Sequence, residues 1–258
     1  VMTPSNISHI YNSLLSDKAN DQKRFVVLLD PDKLRLSNIN KVLQSSIEAG
    51  VDYFFIGGSL IVSDMLDTIL VTIKEATNIP TILFPGNSYQ LSYKADAILF
   101  LSLISGRNPE LLIGNHVLAA PYLKVSPLEI LPTGYILIDG GVRTTVSYIS
   151  NTQPIPDNKP DIAACTAMAG EMLGMKLMYL DAGSGAKNPV PNDIITAVHQ
   201  VTDIPLIVGG GIRSAESAKK AAQPGADVIV VGNAIEKNPE LISELAQAVH
   251  TTKTLIIE

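Results

Sequence analysis

Three glycine-rich turns lie in the last third of the chain: Tyr179-Leu180-Asp181-Ala182-Gly183-Ser184-Gly185-Ala186, Val208-Gly209-Gly210-Gly211-Ile212-Arg213-Ser214 and Val231-Gly232-Asn233-Ala234. Glycine lets a ligand come close to the backbone, and N–H groups at a helix start attract phosphate. Two or three such turns in succession read as a phosphate cradle; the alternative is a set of ordinary tight turns. Arg213 either adds charge to that cradle or is an exposed helix-start residue. Strand alternation puts Tyr179 and Asp181 on one side. Facing a cavity, Asp181 would accept a proton from a substrate hydroxyl and Tyr179 would hold a phosphate or hydroxyl. The alternative is a buried ion pair beside a core tyrosine.

A second group of chemical residues opens the chain. Asp30, in Leu28-Leu29-Asp30-Pro31-Asp32-Lys33, follows an apolar run. Magnesium is often held by one or two carboxylates plus substrate phosphates, which suits Asp30, with Asp32 and Lys33 as polar neighbours. Asp-Pro is also a common turn opener. The Ser59 hydroxyl, in Ile56-Gly57-Gly58-Ser59, is placed to join the metal shell. The Asp139-Gly140-Gly141-Val142-Arg143 turn reads equally as ligand-facing or structural. HExxH, GxSxG, GxxxxGK[ST] and a DDxxD-type aspartate cluster are all missing. Asp64 and Asp67 read as a solvated helix face. His9, His116, His199 and His250 do not gather after strand ends and read as surface or capping residues. Cys165, in an apolar helix, reads as core.

The elements that must position these residues are eight short apolar runs: Phe25–Leu29, Tyr53–Ile56, Thr81–Phe84, Ala97–Leu101, Tyr135–Ile138, Leu177–Leu180, Pro205–Val208 and Val228–Val231. Runs apolar on both faces read as parallel strands covered by helices. Helical patterns fall at Ile39–Ala49, Leu60–Thr77, Ile162–Gly174, Asn192–Val201, Ser214–Gln223 and Pro239–His250, with Asn192, Ser214 and Asn238 at cap positions. Together they predict an α/β fold, a (β/α)8 TIM barrel forming one domain over residues 1–258, in which ligands bind at the C-terminal strand ends. A doubly wound sheet is the rival, without a glycine fingerprint after its first strand. The stretch between Phe84 and Ala97, with Pro85, Gly86 and Ser88, predicts an irregular third crossover. Asn151–Asp161 reads as a surface loop, and Ser5–Leu15 as an extra N-terminal helix closing the lower end.

Composition agrees. The 258 residues are 46% hydrophobic and 17% charged, with a net charge of −6, which excludes a disordered chain. A chain this long buries about 70–75% of its unfolded surface without a staple. The single Cys165 excludes an intrachain disulfide and a cysteine zinc cluster, and together with the lack of a signal peptide points to the cytoplasm. A pI near 5.2 without a basic stripe argues against nucleic acid. The mean hydropathy of +0.25 fits a large core with an oligomer interface, or an apolar tunnel for a greasy substrate.

Taken in order, these motifs resemble the geranylgeranylglyceryl phosphate synthase family, in its second group of archaeal and bacterial members. The resemblance runs from about Phe25 to Val249 and rests on LLDPDK (28–33), IGGS (56–59), LFPGN (83–87), LFLSLISGRNPELLIG (99–114), YLDAGSGA (179–186), VGGGIR (208–213) and VGNA (231–234). It implies a magnesium-dependent prenyltransferase of ether-lipid (phospholipid) biosynthesis. Such an enzyme joins geranylgeranyl diphosphate to the 3-hydroxyl of sn-glycerol 1-phosphate and releases diphosphate. Magnesium would be held by Asp30 and Ser59. Glycerol phosphate would be bound by Tyr179, Leu180, Asp181, Ala182, Gly183, Ser184 and Gly185, with Gly210, Gly211, Gly232 and Asn233. Asp181 stands where the family usually carries Glu, one methylene longer, so proton transfer would need a closer substrate or a bridging water. The resemblance also implies homo-oligomers, often hexamers, and the lipid substrate implies peripheral membrane contact. A groove for the tail is expected around Pro85–Tyr93, with Phe84, Phe100 and Leu103. A sugar-phosphate isomerase barrel and a phosphate-binding barrel without turnover are the rival readings.

Overall fold

Strands that are apolar on both faces must be covered on both, and a closed barrel wrapped in helices does this. The computed structural model describes residues 9–33, 36–60, 62, 65–87 and 89–255, with the backbone alone for 36–38. Its strands are β1 (Arg24–Leu29), β2 (Tyr53–Ile56), β3 (Thr81–Leu83), β4 (Ala97–Leu103), β5 (Glu129–Leu137), β6 (Leu177–Asp181), β7 (Leu206–Gly209) and β8 (Val228–Val231). Each pairs in parallel with the next, and β1 closes on β8. This is the predicted (β/α)8 barrel. β5 starts at Glu129, well before the predicted Tyr135, because Pro132 and Gly134 interrupt the apolar run without ending the pairing to β4.

Alternation sorts the side chains into two cores. Val26, Phe55, Leu99, Leu137, Tyr179 and Val230 point into the barrel, while Val27, Phe54, Ile98, Ile136, Leu180 and Val231 face the surrounding helices. At the N-terminal end, α1 (His9–Ala19) drops Ile10 and Leu14 onto the interior cluster, as predicted for an extra closing helix; residues 5–8 of that prediction lie outside the described residues. Glu129 fixes α1 there: its carboxylate accepts the N–H groups of Ile10 and Tyr11, both at 2.9 Å. Other carboxylates at this end do similar work. Asp52 accepts the Phe25 N–H at 2.8 Å and pairs with His250, and Asp227 accepts the Leu206 N–H at 2.8 Å beside buried Lys23.

The crossovers are less regular than the barrel. α2 (Leu36–Ala49) and α3 (Leu66–Ala76) cover the first two; α3 starts six residues later than predicted, and Asp64 lies outside the described residues. Asp67 pairs with Lys94 at 2.9 Å. Among the described residues, no helix lies between β3 and β4, as predicted. The buried Gln90 side chain stitches that crossover instead: it accepts the Gly86 N–H at 3.0 Å and donates to the Gly58 carbonyl at 3.0 Å. The fourth crossover carries a helix the sequence reading passed over, a π-helical turn at Glu110–Gly114 running into α4 (Asn115–Lys124). Gly114 and the interior Pro121 hide its periodicity. Its outer face leaves Val117, Leu118 and Tyr122 exposed.

Next come the short α5 (Thr145–Ile149) and then α6 (Pro160–Met172). The loop between them is not merely a surface segment, since Ile155 is buried and bridges to Ile138. α6 packs through Ala163, Ala167 and Gly170, and Cys165 falls on its opposite face. Cys165 is therefore exposed, against the expectation of a core residue. α7 (Asn192–His199), α8 (Ala215–Ala222), α9 (Asn233–Lys237) and α10 (Leu241–His250) complete the ring. Ser214 caps α8 as predicted, accepting the Ser217 N–H at 3.2 Å. Asn192 does not cap α7, whose N-cap is Pro191. Asn238 ends α9 and accepts the Glu240 N–H at 3.2 Å, but it does not cap α10, whose N-cap is Glu240 and which starts two residues later than predicted. His116 is buried rather than at the surface, with its ring edge-on to Phe100 at 4.4 Å. No helix among the described residues is long and apolar enough to cross a membrane.

Removing the Glu129 carboxylate strips two charge-assisted hydrogen bonds from the first turn of α1. Glu129→Ala is expected to lose about 1–3 kcal/mol of stability, read by urea unfolding. Loss of less than about 0.5 kcal/mol would show that α1 is held by apolar packing alone.

Candidate active site

A cavity of about 590 Å³ opens at the C-terminal strand ends, walled by the turns after β1, β2, β6, β7 and β8. Asp181 is the last residue of β6, in the same alternation as Leu177 and Tyr179, so it points into the barrel. Register then brings it a partner. Tyr135 of β5 lies opposite Tyr179, and its hydroxyl donates to Asp181 Oδ2 at 2.5 Å. The Gly183 N–H donates to Oδ1 at 2.7 Å. Burial pushes the Asp181 carboxyl above the usual carboxylate range, and these two hydrogen bonds pull it partly back. Burial, followed by the nearby Asp181 charge, holds Tyr135 and Tyr179 well above the ordinary phenol value. Both phenols therefore remain protonated donors. Phe84 stacks on Tyr179 at 5.4 Å and meets Tyr135 edge-on at 6.0 Å, so an aromatic cluster backs the hydrogen-bonded pair.

Gly210 has φ +82°, and a Cβ there would stand 2.6 Å from Asp181 Oδ1 and 2.7 Å from the Ala182 and Gly183 nitrogens. Only glycine lets the β7 turn run against the β6 turn. The β6 and β8 turns also meet, with Ser184 Oγ donating to Asn233 Oδ1 at 3.1 Å. Tyr179, Asp181, Gly183, Ser184, Gly185, Gly210, Gly211, Gly232 and Asn233 thus share one cavity wall. Leu180 and Ala182 are exceptions. Strand alternation turns both outward into the helix-facing core, and neither lines the cavity. Arg213 lines the cavity, yet its guanidinium donates to the Ala186 carbonyl at 2.5 Å, bracing the β6 turn. The Asp139 turn is likewise a brace: Gly140 accepts the Lys187 and Asn188 N–H groups at 2.9 Å, and the turn lines neither described cavity.

Across the mouth, Asp30 follows β1, its Oδ2 paired with Lys33 Nζ at 2.7 Å. The β2 turn presses on it, since a Cβ at Gly58 would stand 3.2 Å from Asp30 Cγ. Ser59, the next residue, lines the same cavity. A carboxylate and a hydroxyl are hard oxygen donors of the kind magnesium takes. Among the described residues no cluster of three or more His, Cys, Asp or Glu forms a closed metal cage, so substrate oxygens would complete such a site. Glu236, half-buried on α9, accepts the Asp30 N–H, and burial raises its carboxyl.

A second, apolar cavity of about 320 Å³ lies over the helix-free third crossover. Phe84, Leu91, Phe100, Leu103, Leu111 and Leu123 are among its walls, with α4 along one side. Pro85–Asn87 line it as expected, whereas Tyr89 and Tyr93 are exposed. The two cavities share Gly58, Ser59 and Phe84. Tyr135 lines the apolar one and Asp181 the polar one, so their hydrogen bond lies where the two meet. Sequence reasoning missed Tyr135, Glu236 and His116 as site neighbours. Tyr135 has the interior parity of β5, and only the β5–β6 register reveals its partner.

Comparison with known proteins gives a consistent result. A protein named geranylgeranylglyceryl phosphate synthase from Chitinophaga pinensis is 55% identical over 247 residues, covering 96% of this chain and 98% of that one. One of the same name from Thermococcus kodakarensis is 45% identical over 224 residues, covering 86% and 88%. Among solved structures, (S)-3-O-geranylgeranylglyceryl phosphate synthase from Thermoplasma acidophilum, in complex with sn-glycerol-1-phosphate, matches with a TM-score of 0.88. It is 33% identical and covers 97% of this chain and 99% of its own. The family model described as the PcrB family matches residues 18–251, and the chain belongs to that family.

Proposed function

We infer that this protein is a prenyltransferase that joins geranylgeranyl diphosphate to the 3-hydroxyl of sn-glycerol 1-phosphate, giving geranylgeranylglyceryl phosphate and diphosphate. The observation that carries the reading is the junction of an apolar cavity with a glycine-walled one at Ser59 and Phe84, beside a buried carboxylate. The names of its relatives and the glycerol phosphate bound by the Thermoplasma protein support it. An isomerase acting on a small sugar phosphate has no use for a cavity walled by Phe84, Leu91, Phe100 and Leu123. It would also want Asp30 poised over the substrate, whereas Asp30 is paired with Lys33.

The roles follow from position. The Gly183–Ala186, Gly210–Gly211 and Gly232–Asn233 turns bind the glycerol phosphate. Its 3-hydroxyl then reaches toward Asp181. The prenyl tail lies in the apolar cavity, with its diphosphate toward Asp30 and Ser59. Asp30 and Ser59 would hold magnesium, which when bound would supply positive charge to the departing diphosphate. The allylic C1–O bond breaks, the glycerol oxygen forms the ether bond to C1, and its proton passes to Asp181. Tyr135 holds the carboxylate in place, and the Phe84 ring, which lines both cavities, offers π density to the cationic carbon.

The first test is a magnesium-dependent assay with labelled glycerol 1-phosphate, in which wild type should form an organic-soluble product and EDTA should abolish it. No product with any prenyl length would end this reading. Asp181→Asn should lower kcat by about 10²–10⁴-fold. The folded-state carboxyl of Asp181 titrates above its unfolded value, so its ionisation works against folding as pH rises through that range. Asp181→Asn should therefore melt no lower than wild type at pH 7, and any advantage should shrink as pH falls. Tyr135→Phe removes a bond that lowers the Asp181 pKa. It should cost roughly 10–100-fold in kcat and move the acid limb of the pH profile upward; an unmoved limb would detach Tyr135 from Asp181. Phe100→Ala should shift preference toward longer prenyl diphosphates, and an unchanged preference would place the tail elsewhere.

A further inference from the structure

Lys33 is the side chain that spans the two ends of the polar cavity. Its ammonium is 2.7 Å from Asp30 Oδ2 and 3.5 Å from the hydroxyl of Ser184, which in turn holds Asn233. The other cations lining the cavity are placed differently. Arg213 is tied to the Ala186 carbonyl, and Lys237 is exposed on α9. The same cavity holds the carboxylates of Asp30, Asp32, Asp181 and Glu236 and must accept two anionic substrates. Asp30 is the ion-pair partner of Lys33. A divalent cation on Asp30 would repel that ammonium toward the Ser184 hydroxyl at 3.5 Å and the Glu236 carboxyl, which already feels the Lys33 charge.

We propose that Lys33 is a phosphate-binding residue of the glycerol phosphate site and that its exchange between Asp30 and the Ser184 turn couples the two substrate sites. Metal and diphosphate at Asp30 release the ammonium to the phosphate monoester, so occupancy of one site tightens the other. Linkage makes this coupling reciprocal. The proposal rests on reading the β6 turn as a phosphate site.

Calorimetric titration of the full chain with sn-glycerol 1-phosphate, with and without magnesium plus inorganic diphosphate, tests it. Wild type should bind several-fold more tightly when both are present. Lys33→Met should weaken binding by roughly tenfold and lose that tightening, and Lys33→Arg should keep both. Mn²⁺ alone, followed by electron paramagnetic resonance, should bind Lys33→Met more tightly than wild type because no ammonium competes for Asp30. Merely structural damage would weaken metal binding instead. Unchanged phosphate affinity in Lys33→Met, or coupling that survives the substitution, would overturn the proposal. Should wild type not bind sn-glycerol 1-phosphate, the functional reading fails, and inorganic phosphate becomes the probe. Binding of phosphate that depends on Lys33 would then support the Lys33 site, and binding indifferent to it would overturn that too.

Discussion

The hydrogen bond between Tyr135 and Asp181 is the interaction on which the site depends. It joins adjacent strands at the point where the polar and apolar cavities meet. A buried carboxylate is costly unless paired. Asp181 meets that cost with a phenol from one side and the Gly183 N–H from the other, and remains a stronger base than an exposed aspartate. Those two bonds also fix where the carboxylate points. The shorter side chain of aspartate is thus held rigidly at the base of the cavity, with the Gly210 backbone packed against it.

The barrel uses carboxylates in two ways, divided by its ends. At the N-terminal end, Glu129, Asp52 and Asp227 accept backbone N–H groups, and the two aspartates also pair with basic side chains, closing strands and helices together. At the C-terminal end, Asp181, Asp30 and Glu236 line a cavity. The fold itself makes the distinction. Strand starts are tied down by neighbouring elements, while strand ends open into turns whose backbone is free to meet a ligand.

The third crossover, without a helix among its described residues, has a matching consequence. Without a helix there, the barrel wall between β3 and β4 would lie open, and Gln90 holds the remaining chain against the Gly58 turn. The space left over becomes the apolar cavity, covered by the fourth crossover. An irregularity in covering the sheet thereby leaves an apolar space beside the glycine-walled polar cavity. The Gly58–Ser59 turn belongs to both cavities, so the polar and apolar spaces are joined through a few shared residues.

Much of this was legible in the residues alone. Apolar runs at crossover spacing specify parallel strands, because a strand buried on both faces needs apolar side chains at every position. Glycine turns after the sixth and seventh runs mark the cavity wall, because Gly183, Gly185, Gly210 and Gly211 take positive φ values that disfavour other residues. The break at Pro85 and Gly86 marks the irregular crossover. What the sequence could not decide depends on relative placement. Tyr135 meets Asp181 through strand register, Leu180 and Ala182 leave the site through alternation, and Cys165 is exposed through the phase of α6. Arg213 braces a turn, and Lys33 bridges two. Local patterns determine elements because backbone preference and burial act over a few residues. Partnerships between side chains dozens of residues apart exist only once the barrel has closed.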